Sequence, residues 1–365
     1  MLKHLPISAL LLLVGCWNPP DYDELVRELT PQEVAEAQAY LNEYDVPLPE
    51  GWAFERFDMS DGAHVRVGRA VTEGPSAPLL FVPSYTSSQE LVSEFMSDWY
   101  EMGFEVTAMD LPGQGGSIRR EDDVQKTYTG DWSYYGQSVS EVAAHINKTR
   151  KSTGPFIVVG ESMGGHAVIR AAHDQGLSFI DGLFPLVPAI LPHTHNRPPL
   201  WFMRWETSRQ GSNGNGSEYV MGEGPWYPGE RDSEPEDLCG REESRMFKNE
   251  ALYRTRPDLR VGGSTNEYLH GLFVSADEIA ESTTLPELDF PVTLITAGDE
   301  IYVQTEIAQN ICTEVMTTCE LVHIEKATHC VHVDPQPVHE EIRDALLSLI
   351  ERTELRSIDE PRRPM

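Results

Sequence analysis

Short apolar runs alternate with amphipathic stretches along most of this chain. Leu79-Leu80-Phe81-Val82, residues 104–109, Phe156-Ile157-Val158-Val159, residues 180–187 and Val292-Thr293-Leu294-Ile295-Thr296 have the length and apolar character of buried strands. Between them lie helix-compatible segments at about 90–101 and 134–151, and the run His166-Ala167-Val168-Ile169-Arg170-Ala171-Ala172. Alternation from 52 to 71 predicts an antiparallel opening hairpin. Upstream, Thr30-Pro31-Gln32-Glu33 combines an N-cap, a proline in the first turn and a glutamate at the third helical position, so a helix is expected to about residue 43. Strands and helices alternating in this way predict an α/β fold, with a mostly parallel central sheet covered by helices on both faces.

One stretch breaks the alternation. Residues 189–290 form a connection far longer than a strand-to-strand link needs, and their composition differs. They include Trp201-Phe202-Met203-Arg204-Trp205, the glycine- and asparagine-rich run 211–217, and an acidic segment from 230 to 243. We read this stretch as a cap inserted between two parts of the core, 30–188 and 291–352. Its apolar residues are available to hold a greasy substrate or to form the cap's own small core. Residues 353–365 are expected to be a disordered tail.

Composition narrows the partners. The formal charge is −31, from 28 basic and 59 acidic residues. Such a surface repels nucleic acid and anionic headgroups. The N-terminus carries a basic start, a short apolar run over 5–14, and Leu13-Val14-Gly15-Cys16. That describes a signal peptide too short to span a bilayer, and the tetrad resembles a bacterial lipobox. The resemblance implies cleavage after residue 15, lipid attachment at Cys16, a tether over 16–29, and anchoring to a membrane of the bacterial envelope on its periplasmic or extracellular side. Cys239, Cys312, Cys319 and Cys330 remain; an exported location permits disulfides, and Cys312 with Cys319 is the favoured pair. There is no Cys-x-x-Cys metal spacing.

The chemistry is concentrated in Gly160-Glu161-Ser162-Met163-Gly164-Gly165, which directly follows an apolar run and precedes a helical one. A serine between glycines in a strand–turn–helix context has the nucleophile-elbow pattern, with its hydroxyl at the tip of a sharp turn. A serine hydroxyl needs a base to take its proton, and a histidine serves best when a carboxylate fixes its tautomer. His329 lies in a loop after the strand-like 320–324 and before a C-terminal helix from about 338 to 351. It is the favoured base, ahead of His332; His323 falls in a strand. The acid is expected in the turn Ala297-Gly298-Asp299-Glu300-Ile301-Tyr302-Val303. The commoner residue type favours Asp299, but position relative to the glycine favours Glu300, which is the preferred acid. Oxyanion donors are expected from the backbone N–H of Met163 and of Tyr85, in the loop after 79–82.

Three segments together resemble the bacterial lysophospholipase and monoacylglycerol lipase group of α/β-hydrolases. They are residues 82–88 (VPSYTSS), Asp110-Leu111-Pro112-Gly113-Gln114-Gly115-Gly116-Ser117, and the elbow itself. Phe247-Lys248-Asn249 and residues 257–265 are similar to the cap of the lysophospholipase branch. Ser84 and Pro112 depart from the family's usual glycine and arginine. The resemblance implies an α/β-hydrolase that cleaves a single-chain lipid ester through an acyl-enzyme, with no metal or organic cofactor. A short-chain esterase, an aminopeptidase, or an inactive hydrolase-like surface lipoprotein are the alternatives.

Overall fold

The structure is a computed structural model, and it describes residues 22–72, 76–150, 152–193, 198–229 and 240–359. The expected signal peptide and Cys16 lie outside the described residues, as does Cys239. Among the described residues, no helix is long and apolar enough to cross a membrane.

Eight strands form one sheet: β1 (Ala53–Asp58), β2 (His64–Ala70), β3 (Pro78–Val82), β4 (Glu105–Met109), β5 (Ile157–Glu161), β6 (Gly182–Leu186), β7 (Val292–Asp299) and β8 (Cys319–Thr328). Their spatial order is β1-β2-β4-β3-β5-β6-β7-β8. β1 and β2 form the antiparallel hairpin and β2 meets β4 antiparallel, while every later pairing is parallel. This is the α/β-hydrolase fold.

The continuous apolar runs make sense once both faces are covered. Along β3 and β5, Leu80, Val82 and Val158 point into a core beneath α3 (Trp132–Thr149) and α4 (Met163–Gln175). Leu79, Phe81, Ile157 and Val159 point the other way, against α2 (Ser93–Glu101) and the C-terminal helix α9 (Gln336–Asp359). Side chains alternate across a strand, so a strand buried on both faces must be apolar at every position. Phe81 packs edge-on against Phe95 and Trp99. Truncating it to alanine is expected to cost about 3–5 kcal/mol.

The inserted stretch carries α5 (Leu200–Ser212), α6 (Lys248–Thr255) and α7 (Asn266–Ala280), and α8 (Thr305–Asn310) follows β7. The N-terminal helix α1 (Pro31–Tyr44) starts at the expected capping box, in which Glu33 accepts from the Thr30 amide at 2.8 Å. Its Ala37 and Leu41 pack on Ala251 and Leu252 of α6, so it belongs structurally with the insertion.

Two terminal expectations need correction. α9 runs to Asp359, so the first seven residues of the expected tail, 353–359, are helical. Thr353 is buried, and Arg352 donates to the carbonyl of Val292, so this end of the helix is docked on the sheet. Residues 22–29, expected to belong to the tether, also make contacts. Tyr22 lies in a short helical turn and donates to the carbonyl of Gly222 at 3.1 Å, and Leu29 packs against the Trp226 cluster.

Cys312 and Cys319 are joined in a disulfide.

Candidate active site

β5 ends in a turn whose geometry only a few residues can share. Ser162 has φ 52° and ψ −110°, a left-handed conformation that costs a non-glycine residue about 1–3 kcal/mol. Three bonds hold it there. Its amide donates to Leu186, and its carbonyl accepts from His166 and Ala189, all at 2.9 Å. A Cβ on Gly160 would fall 2.3 Å from the Gly164 carbonyl oxygen, and one on Gly164 would fall 2.0 Å from that of Val82. The turn therefore closes only because both positions lack a side chain.

Four groups meet at this turn. Ser162 Oγ lies 2.7 Å from His329 Nε2, and His329 Nδ1 lies 2.7 Å from Glu300 Oε2. An ionised Glu300 accepts the Nδ1 proton, which leaves the lone pair of Nε2 facing the serine hydroxyl. A histidine held in that tautomer can take the serine proton and later return it to a leaving group. The Tyr302 ring packs on the imidazole, with centroids 5.5 Å apart.

The structure separates the two carboxylates that the sequence leaves as rivals. The Glu300 side chain is only 4% exposed, whereas Asp299 is 54% exposed and pairs with Arg241 at 3.2 Å. The cause is a bulge. β7 and β8 pair regularly as far as Ala297 opposite Ile324, and pairing then slips so that Asp299 faces Thr328. A Cβ on the intervening Gly298 would sit 2.2 Å from the Glu325 carbonyl, so glycine is needed for the slip. Beyond it, Glu300 points back toward His329. Its Oε1 accepts from the amides of Tyr302 and Val303 at 2.7 and 3.1 Å. Burial pushes this carboxyl upward, but His329 and the two amides outweigh burial and hold it below the ordinary carboxylate range.

Met163 opens α4, so its N–H is among those that an α-helix leaves unpaired at its start. The loop that carries Tyr85 runs beside it, which is why a side chain on Gly164 would strike Val82 and Pro83. The insertion grips this loop from outside. Tyr85 donates through its hydroxyl to Gly262 at 2.9 Å and stacks on Tyr268, while Asn249 and Tyr253 both donate to the Thr86 carbonyl. The left-handed residue in this loop is Thr86, at φ 56°. Ser84 is not left-handed, so the departure from glycine introduces no backbone strain there.

Sequence reasoning missed two supports. Asp334, fully buried, accepts from both the amide and the hydroxyl of Thr328 and so shapes the loop that delivers His329. Glu161, also fully buried, accepts from His332 at 2.7 Å. A charged residue between Gly160 and Ser162 in an otherwise apolar strand was the available signal, because such a group demands a partner. His323 lies in β8, hydrogen-bonded to Thr296 and away from the serine.

Trp201 and Trp205 on α5 are 65% and 50% exposed, so they do not form a core for the insertion. A cavity of about 400 Å³ opens between α3, α5 and α7, lined by Trp132, Arg170, Glu267 and Ser275 among others. It contains none of Ser162, His329 and Glu300; aligned hydrogen bonds, not cavity volume, mark the site.

Comparison with known proteins agrees with this fold. Residues 73–336 match the family described as serine aminopeptidase, S33. A soluble variant of monoglyceride lipase from Saccharomyces cerevisiae, solved with a substrate analog, superposes with a TM-score of 0.61 at 14% identity, covering 84% of this chain and 97% of that one. A monoacylglycerol lipase from Paleococcus ferrophilus gives 0.58 at 17% identity, over 78% and 99% of the two chains. A putative aryl esterase from Burkholderia cenocepacia gives 0.55 at 14% identity, over 82% and 99%. At these identities the likeness is one of fold. Comparison with curated proteins finds no match.

Proposed function

The chain belongs to the serine aminopeptidase S33 family, and from that premise we propose that it is a serine hydrolase cleaving the carboxylic ester of a single-chain lipid, a lysophospholipid or a monoacylglycerol. The observation that carries the reading is the continuous line from Glu300 through His329 to Ser162, two bonds of 2.7 Å each, ending on a strained turn.

Ser162 Oγ attacks the acyl carbonyl carbon while His329 Nε2 takes its proton. The carbonyl electrons move to oxygen, which the Met163 and Tyr85 amides receive. Collapse expels the glycerol-side alkoxide with the proton from His329. Water then repeats the sequence on the acyl-enzyme and releases the fatty acid. Glu300 orients the imidazole and stabilises its cationic form.

Two observations support the lipid preference: the exposed Trp201 and Trp205 of the insertion, and two superposing structures described as monoglyceride or monoacylglycerol lipases. Anchoring through Cys16 would hold the enzyme at the membrane that supplies such esters. An aminopeptidase is the second reading, favoured by the family's description.

Full-length protein treated with a fluorophosphonate is expected to label at Ser162, and Ser162→Ala to remain unlabelled. Equal labelling of the two refutes the mechanism. A substrate panel of lysophosphatidylcholine, monoacylglycerols, p-nitrophenyl acetate and aminoacyl p-nitroanilides then separates the readings; turnover of the anilides alone replaces the lipase assignment with the aminopeptidase. For the anchor, Cys16→Ala is expected to move the protein from the detergent phase to the aqueous phase.

A further inference from the structure

Among the described residues, one group of three metal-capable side chains comes together, and it includes none of Ser162, His329 and Glu300: Glu94, Asp98 and His339. One ligand atom from each lies within 4.8 Å of the others. Glu94 and Asp98 are one turn apart on α2, so their carboxylates share a face of that helix. His339 stands opposite, in the first turn of α9.

The histidine distinguishes this group from an ordinary acidic patch. It is 5% exposed, and its ring packs on Phe95 with centroids 4.7 Å apart. Its Nε2–H donates to the Val331 carbonyl at 2.9 Å. That bond fixes the tautomer and puts the lone pair on Nδ1, which is buried and has no hydrogen-bond partner. Buried polar atoms are nearly always satisfied, so an orphaned imidazole nitrogen beside two carboxylates asks for an electron-pair acceptor. A ligating histidine commonly has its other nitrogen tied to a backbone carbonyl, as here.

We infer that Glu94, Asp98 and His339 form a binding site for a divalent cation, with zinc the ion that fits. One imidazole nitrogen and two carboxylate oxygens suit zinc in tetrahedral coordination, completed by water from the exposed side. Calcium and magnesium prefer all-oxygen shells. Arg245 already donates to Glu94 through Nε and Nη2, but each carboxylate oxygen keeps a further lone pair, so the arginine orients Glu94 without using it up. The ion would tie α2 to α9, and through His339 to the Val331 turn just beyond His329.

The test uses full-length protein stripped with EDTA and titrated with zinc chloride alone. One equivalent is expected to bind and to raise the thermal midpoint. Asp98→Asn, at a half-buried position, and His339→Gln are each expected to weaken that equivalent about 100-fold and to abolish the midpoint shift, with an unchanged near-ultraviolet dichroism spectrum. Cobalt added in place of zinc is expected to give the visible absorption of a four-coordinate site in the wild type and not in Asp98→Asn. The proposal is overturned if no equivalent binds, or if both variants bind zinc as tightly as the wild type, which would place the ion on other histidines. Should His339→Gln fail to fold, Asp98→Asn alone decides.

Discussion

Two histidine–carboxylate pairs of the same length lie three residues apart in sequence. His329 meets Glu300 and His332 meets Glu161, each with Nδ1 2.7 Å from a carboxylate oxygen. Only the first has its other nitrogen on a serine hydroxyl. Their surroundings differ in the same sense. Glu300 sits at the mouth of a bulge with its second oxygen on two amides. Glu161 sits inside β5, wholly buried, and its second oxygen has no hydrogen-bond partner among the described residues. The lesson is that a His–Glu contact does not identify a catalytic pair. What identifies it is what the far nitrogen faces; the second pair pins the His332 turn to the elbow strand.

The comparison can be broken at its strongest point first. Ser162→Ala or His329→Ala is expected to lower kcat for ester hydrolysis by about 10⁶-fold, while His332→Ala, measured per folded molecule, loses less than about tenfold. Comparable losses at His329 and His332 would erase the distinction. Next, Glu300→Gln is expected to cost about 10⁴-fold in kcat, because the amide can present a donor to Nδ1 and favour the wrong tautomer. Asp299→Asn is expected to stay within about twofold, since that side chain faces solvent and Arg241. The reverse ranking would reassign the acid.

Stability should show the opposite pattern. Removing the imidazole of His332 leaves a buried carboxylate without its partner, so His332→Ala is expected to destabilise by about 3–5 kcal/mol in denaturant unfolding, more than His329→Ala does. Acid behaviour gives a gentler test. The folded-state Glu300 carboxyl titrates below its ordinary range, so its stabilising contribution is complete above that range and is lost as pH falls through the lower folded value. The thermal midpoint of the wild type is therefore expected to fall more steeply than that of Glu300→Gln below about pH 4. A more modest loss of activity is expected at the loop that carries Tyr85 and Thr86. Tyr253→Phe removes one of two donors to the Thr86 carbonyl and is expected to lower kcat about tenfold with little change in KM, read from initial rates on a soluble ester.

Much of this was legible beforehand. The runs around Leu79, Phe156 and Val292 are apolar at every position because a sheet covered on both faces leaves no polar side. The elbow is legible for a similar reason: Gly160 and Gly164 stand where backbone atoms leave no room for a Cβ, and that requirement appears directly as glycine. The Thr30–Glu33 capping box is local and folds as read. The docked end of α9 was not legible, because 353–359 is polar and its anchors are on the sheet. The grip of Asn249, Tyr253 and Tyr268 on the oxyanion loop was equally hidden, since these contacts join segments more than 160 residues apart.

The strand–turn–helix around Ser162, the order serine, acid, histidine, and the layered α/β architecture can all be read from the chain, since each rests on spacing and residue size within a short window. The sequence only leaned to Glu300 over Asp299 and to His329 over His332; the tertiary structure decided which carboxylate meets the imidazole and which imidazole faces Ser162. Those choices depend on a two-residue slip in strand pairing and on which atoms two distant loops present to each other. Adjacent residues of like chemistry cannot encode that difference; only their placement can.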